Sequence, residues 1–216
     1  MMVSTQRARR VVGGIAAMVL GLGLGMSLDR SAQAGENDCH TNTSAVERQL
    51  HIPNGLLLAI ALVESGVDGV PQPNAVSLGA RTVQTHSRAD ALRHVQAHAN
   101  SAFVGCMQLS VKHHRVAFHS LEAMMEPKSN IWYAGHMLVR LRSETGSWSQ
   151  AVARYQGGSR NQAHHYVCRV WNHLAELDWS SAKTLEPRRC GEMNPPEIAP
   201  KTRKAFQQAQ VAANPE

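Results

Sequence analysis

The sequence predicts a mainly α domain over residues 37–180, α+β only to the extent of one small hairpin. Three observations carry that expectation. Seven apolar residues, Leu57 to Val63, run unbroken into Glu64-Ser65-Gly66, as in a buried helix ended by glycine. Four serine-led patterns, Ser44-x-x-Glu47, Ser87-x-x-Asp90, Ser147-x-x-Gln150 and Ser159-x-x-Gln162, resemble the capping boxes that open helices. Ile131, Ala134, Leu138 and Leu141 share one face at helical spacing.

In chain order, residues 1–34 have the form of a secretory signal peptide. Arg7, Arg9 and Arg10 precede an apolar stretch from Val11 to Leu28, and Ala32-Gln33-Ala34 is a small-residue cleavage site. The stretch approaches the length of a membrane span, so an uncleaved anchor is the alternative to cleavage. Helices are expected at 44–50, 53–65, 88–98, 120–125, 129–144, 148–155 and 160–177. Pro53 suits a first helical turn, where its missing N–H has no partner to lose. Gly146 stops the 129–144 helix. Residues 66–86 are rich in Gly, Pro and Asn, and Val76, Leu78 and Val83 alternate around Gly79-Ala80 as in a hairpin. From 191 to 216 the chain turns to Pro, Ala, Gln and charge without periodicity, which predicts a flexible tail.

Charge and cysteine usage narrow the function. The 216 residues carry a net +6; without residues 1–34, 18 Lys and Arg stand against 15 Asp and Glu, a net +3. Such mild basicity accommodates an acidic polymer but is no nucleic-acid signature. Export would place the chain in an oxidising compartment, where Cys39, Cys106, Cys168 and Cys190 imply two disulfides with three alternative pairings. The absence of C-x-x-C argues against a zinc ribbon or a thioredoxin-type site. Among twelve histidines, His94 and His98 stand at i, i+4, and His113, His114, His119 and the pair His164-His165 cluster. No H-E-x-x-H pattern or third acidic ligand accompanies them, so they read as surface histidines, and no metal or cofactor is expected.

Glu64 is the candidate acid. It ends an apolar helix, where the negative end of the helix dipole and the apolar surroundings both disfavour its charge. Both effects hold the proton on, as a general acid near neutral pH requires. No second carboxylate announces itself: Asp68 lies in the loop after Glu64, and Asp90 and Glu122 open other helices.

Four blocks then occur in order: LLLAIALVESG, VGCMQLS, IWYAGHMLVRL and GSWSQAVARYQGG. Together, over about residues 45–175, they resemble the catalytic domain of the soluble lytic transglycosylases, which is related in fold to goose-type lysozyme. The resemblance implies a lysozyme-like helical domain that cleaves the β-1,4 bond between MurNAc and GlcNAc in peptidoglycan glycan strands and leaves 1,6-anhydromuramic ends. It implies Glu64 as sole acid and base and Tyr155 beside it, orienting acid or substrate. Ser65, Gly105, Met107, Gln108 and Gln156 are implied as substrate-binding residues. The chain departs from the family pattern at Phe103, Ser110, Gln156 and the tryptophan-free stretch Pro71–Ser77, all positions bearing on substrate contact. Two other readings remain: a non-catalytic murein-binding component of an envelope-spanning machine, and a lysozyme-type hydrolase. The chain is expected to be a monomer, with envelope secretion or flagellar machinery as a partner recruited through residues 191–216. Of the three disulfide pairings we expect Cys39–Cys106 and Cys168–Cys190, the latter close in sequence, the former joining the segment before the first helix to the G-C-M-Q block.

Overall fold

The computed structural model describes residues 38–185, 190, 191 and 193–213; the expected signal, 1–34, lies outside the described residues. Helix α1 (Cys39–Gln49) is capped by Asp38, whose carboxylate accepts the His40 N–H. The Ser44-x-x-Glu47 pattern is therefore no helix start. Both residues lie inside α1 and are buried, and Glu47 turns toward the next helix.

That helix, α2 (Leu56–Ser65), is the apolar run. It starts three residues after Pro53, behind Gly55, which has φ 81° and offers no capping side chain. Leu56 to Ala61 are fully buried, so the helix is the centre of the core rather than an amphipathic face. Helix α8 (Arg160–Leu177) packs along it, and α6 (Pro127–Thr145) joins α1 to α7 (Trp148–Gln156). The serine caps at 147 and 159 hold as expected, and Ser159 and Gln162 form a full reciprocal box. Gly146, at φ 82°, ends α6.

After Glu64 the chain forms a two-stranded hairpin, β1 (Gly66–Val67) with β2 (Val70–Pro71). The expected hairpin follows as β3 (Val76–Leu78) and β4 (Arg81–Val83), then α3 (Arg88–Ala97), which Ser87 caps. Two strands not anticipated, β5 (Ala102–Val104) and β6 (Leu109–Ser110), extend the sheet to the order β4-β3-β5-β6, antiparallel throughout. They flank the G-C-M-Q turn and fix it to the sheet. Short helices α4 (Val111–His114) and α5 (Leu121–Met125) lead to α6, and α9 (Trp179–Ala182) follows α8. Cys39 is bonded to Cys106 and Cys168 to Cys190, the expected pairing.

The flexible tail is a correction. Residues Pro200–Ala213 form a helix, α10; its Phe206, with Ile198 just before it, packs against Leu58 and Leu62 of α2. Buried Thr202 donates to the Gly69 carbonyl, as does the Ala199 N–H. Ile198, Thr202 and Phe206 recur every four residues, one narrow stripe with only two apolar members, too sparse to register as periodicity.

Candidate active site

Glu64 is the penultimate residue of α2 and opens into a cavity of about 340 Å³ between the helix end and the β3–β4 hairpin. Ser77, Thr82 and His86 line its far side, and among the described residues lining it Glu64 is the only acid. A larger cavity, about 600 Å³, lies beside Phe118, Trp132 and Tyr133; no carboxylate is among the described residues that line it, so volume does not mark the chemistry here.

The carboxyl of Glu64 accepts the Tyr166 hydroxyl at 2.5 Å. Burial pushes its pKa up to about 7, against the opposing pull of that hydrogen bond and of Arg169. The Arg169 guanidinium donates to the Val63 carbonyl at the end of α2, so it serves the helix terminus and sits near the acid together. Burial and the neighbouring Glu64 hold both Tyr155 and Tyr166 well above the usual phenol range, so both hydroxyls stay protonated donors.

Tyr166 is the residue sequence reasoning missed. It sits on the buried stripe of α8 with Val167, Val170 and Leu174. A buried tyrosine needs a partner for its hydroxyl, and that is the signal that could have pointed to it. Tyr155 is close by, but its hydroxyl donates to the Met107 carbonyl at 2.8 Å rather than to the acid.

The remaining expected residues form the scaffold of the turn more than its surface. Met107 is fully buried, so it is core and not a sugar-facing wall. Its N–H donates to Oδ1 of buried Asn130, whose amide donates to the Val104 and Met124 carbonyls. A Cβ on Gly105, at φ 78°, would meet Asn130 Nδ2 at 2.6 Å, so the glycine makes room for that asparagine. Ser65 lines the cavity, yet its hydroxyl donates to the Ala61 and Cys106 carbonyls and ties α2 to the turn. Gln108 is 9% exposed, with φ 47° and its amide donated to the Ala75 and Gly105 carbonyls. Gln156, at the end of α7, accepts the Gly158 N–H. Among the described residues no group of three His, Cys, Asp or Glu side chains is arranged to hold a metal ion.

The helical domain thus places one acid, its pKa raised by burial, at a helix end that opens into a cavity bordered by a small antiparallel sheet. The family model for the transglycosylase SLT domain matches residues 42–166, more than half of the chain, and the chain belongs to that family. No curated protein and no solved structure matches it. The matched span closes on Tyr166, and α8 beyond that residue and all of α10 follow it.

Proposed function

We propose that the protein is a murein lytic transglycosylase in which Glu64 acts as both acid and base. The observation carrying this reading is a single partly buried carboxyl, at about 7, with no second acid among the described residues of its cavity. A glycosidase using two carboxylates needs a partner roughly 5–9.5 Å away for a nucleophile or a water. One acid suffices when the substrate supplies the rest. Glu64 gives its proton to the glycosidic oxygen as the bond to C1 of muramic acid breaks. The substrate N-acetyl oxygen bonds to C1 in its place. Glu64, now a carboxylate hydrogen-bonded to Tyr166, takes the proton of the C6 hydroxyl as that oxygen closes the 1,6-anhydro ring and displaces the acetyl oxygen. The acid is regenerated and no water is consumed.

The two disulfides and the signal-like residues 1–34 support an exported, periplasmic chain acting on peptidoglycan strands. A recruiting secretion or flagellar apparatus would meet the outer face of α10, because its inner face is filled by α2. The test is mass spectrometry of muropeptides released from sacculi by the mature domain. Anhydromuramic ends are expected, falling at least ~1,000-fold in Glu64→Gln with sacculus binding retained. New reducing ends would mean a hydrolase, and binding without release would mean a structural component.

A further inference from the structure

The sheet over the groove carries an aromatic ring that the core does not use. Its register runs Thr82↔Ser77, Ser77↔Phe103 and Phe103↔Ser110 across β4, β3, β5 and β6. Directly opposed residues on antiparallel strands project to the same face, with Cβ atoms ~4.5–5.5 Å apart. These four side chains therefore form one rung. The adjacent rung, Val83, Val76, Val104 and Leu109, projects to the opposite face, and there Val76 and Val104 are fully buried and Leu109 is 2% exposed. The core lies behind the sheet, so the Phe103 rung faces outward, and Phe103 is 36% exposed between two serines.

We infer that Phe103 is a substrate-binding residue that stacks its ring against the apolar face of an N-acetylated pyranose, extending the Glu64 cavity along the sheet. The two rung neighbours on β3 and β4, Ser77 and Thr82, already line that cavity, so the ring continues its wall. No other aromatic ring stands against Phe103 among the described residues, and the residue is partly open to solvent. The rung is also matched to sugar rather than to an apolar protein segment. One flat apolar surface is bordered by three hydroxyls, at Thr82, Ser77 and Ser110, the mixture that a pyranose presents in return. The stretch 71–77, part of which lines the same cavity, contains no aromatic ring.

The inference rests on the glycan reading above and is tested in the Glu64→Gln background, where nothing turns over. The probe is a tetrasaccharide of alternating GlcNAc and MurNAc, titrated calorimetrically. Phe103→Ser should raise Kd by about 5- to 30-fold and Phe103→Trp should keep or tighten it, with thermal midpoints unchanged because the ring does not pack into the core. Phe103→Leu keeps apolar bulk without a flat face and should weaken binding as well. In the active enzyme Phe103→Ser should raise KM with kcat within about twofold, the mark of binding shared by ground and transition states. Phe103→Ser binding within twofold of the parent, or Phe103→Trp weakening as much as Phe103→Ser, overturns the inference and leaves the transglycosylase reading standing. A Glu64→Gln protein that binds no tetrasaccharide at all overturns both.

Discussion

Helix α2 meets a glutamate at each end, Glu47 behind its first turn and Glu64 in its last. Burial pushes both carboxyls up to about 7, yet their surroundings differ. Glu47 is 1% exposed and accepts three backbone N–H groups, from Gly55 at 2.8 Å and from Leu57 and Leu58 at 2.7 and 3.2 Å. Glu64 faces the groove and accepts one hydroxyl. The dipole of α2 then acts on the two in opposite senses, favouring charge at the N-terminus and disfavouring it at the C-terminus by ~0.3–2 kcal/mol each. The three N–H donors and the helix N-terminus thus oppose burial at Glu47, while at Glu64 only one hydroxyl and Arg169 oppose it and the helix C-terminus adds to it. In a carboxyl-detected NMR titration Glu47 should ionise below Glu64; the two titrating together would dissolve the contrast.

Substitution sharpens the contrast further. Glu47→Gln turns an amide N–H₂ toward backbone N–H groups that the first turn leaves without an intrahelical acceptor, and should cost about 2–4 kcal/mol of stability in denaturant unfolding. The same change at Glu64 should stabilise. A carboxyl raised from the ordinary range to about 7 contributes stability below that range and loses it as pH rises through 7. Glu64→Gln removes that loss, so it should gain about 1–3 kcal/mol at pH 8 and nothing near pH 4. A pH-independent effect at Glu64 would mean that its proton is not held by the fold.

Next in size is the tyrosine at the acid. Tyr166→Phe removes the one hydroxyl donated to Glu64, and should lower kcat by about 10- to 100-fold. Because that bond favours the carboxylate, its loss should also move the alkaline limb of the pH–rate profile upward. Tyr155→Phe loses only a bond to the Met107 carbonyl and should leave the limb in place. A shifted limb in Tyr155→Phe alone would restore Tyr155 as the orienting residue.

How legible this was follows from what each residue does locally. Helices announced by their own first turn, such as those opened by Ser87, Ser147 and Ser159, could be read directly. Glu64 was legible because a carboxyl that closes a run of seven apolar residues adds nothing to the packing of that run. Glu47 misled because it does cap a helix, but one that begins several residues later, behind Gly55. That cap, the Tyr166 bond to the acid across 102 residues, and Asn130 under the G-C-M-Q turn are non-local pairings that no window of sequence contains. The residues expected at the sugar were largely the frame of the turn, since the fold needs that turn rigid before anything can bind beside it.

The smallest expected effect concerns α10, which touches both ends of α2. Its Phe206 ring would stand 3.2 Å from a Cβ on Gly55, at the helix start, and its Thr202 hydroxyl donates to Gly69 at 2.9 Å, in the hairpin just beyond Glu64. Thr202→Val keeps the shape and removes the hydroxyl. The Gly69 carbonyl keeps the Ala199 N–H at 3.0 Å, so it is not orphaned, and the loss should be only about 0.5–1.5 kcal/mol. The acid itself stands on α2 and is held by α8, so kcat should stay within about threefold. Phe206→Ala instead opens a void against Gly55 and should cost about 3–5 kcal/mol. If Thr202→Val proves as damaging to turnover as Tyr166→Phe while unfolding barely shifts, then the β1–β2 hairpin positions the acid directly, and α10 belongs to the catalytic end of the helix rather than to its frame.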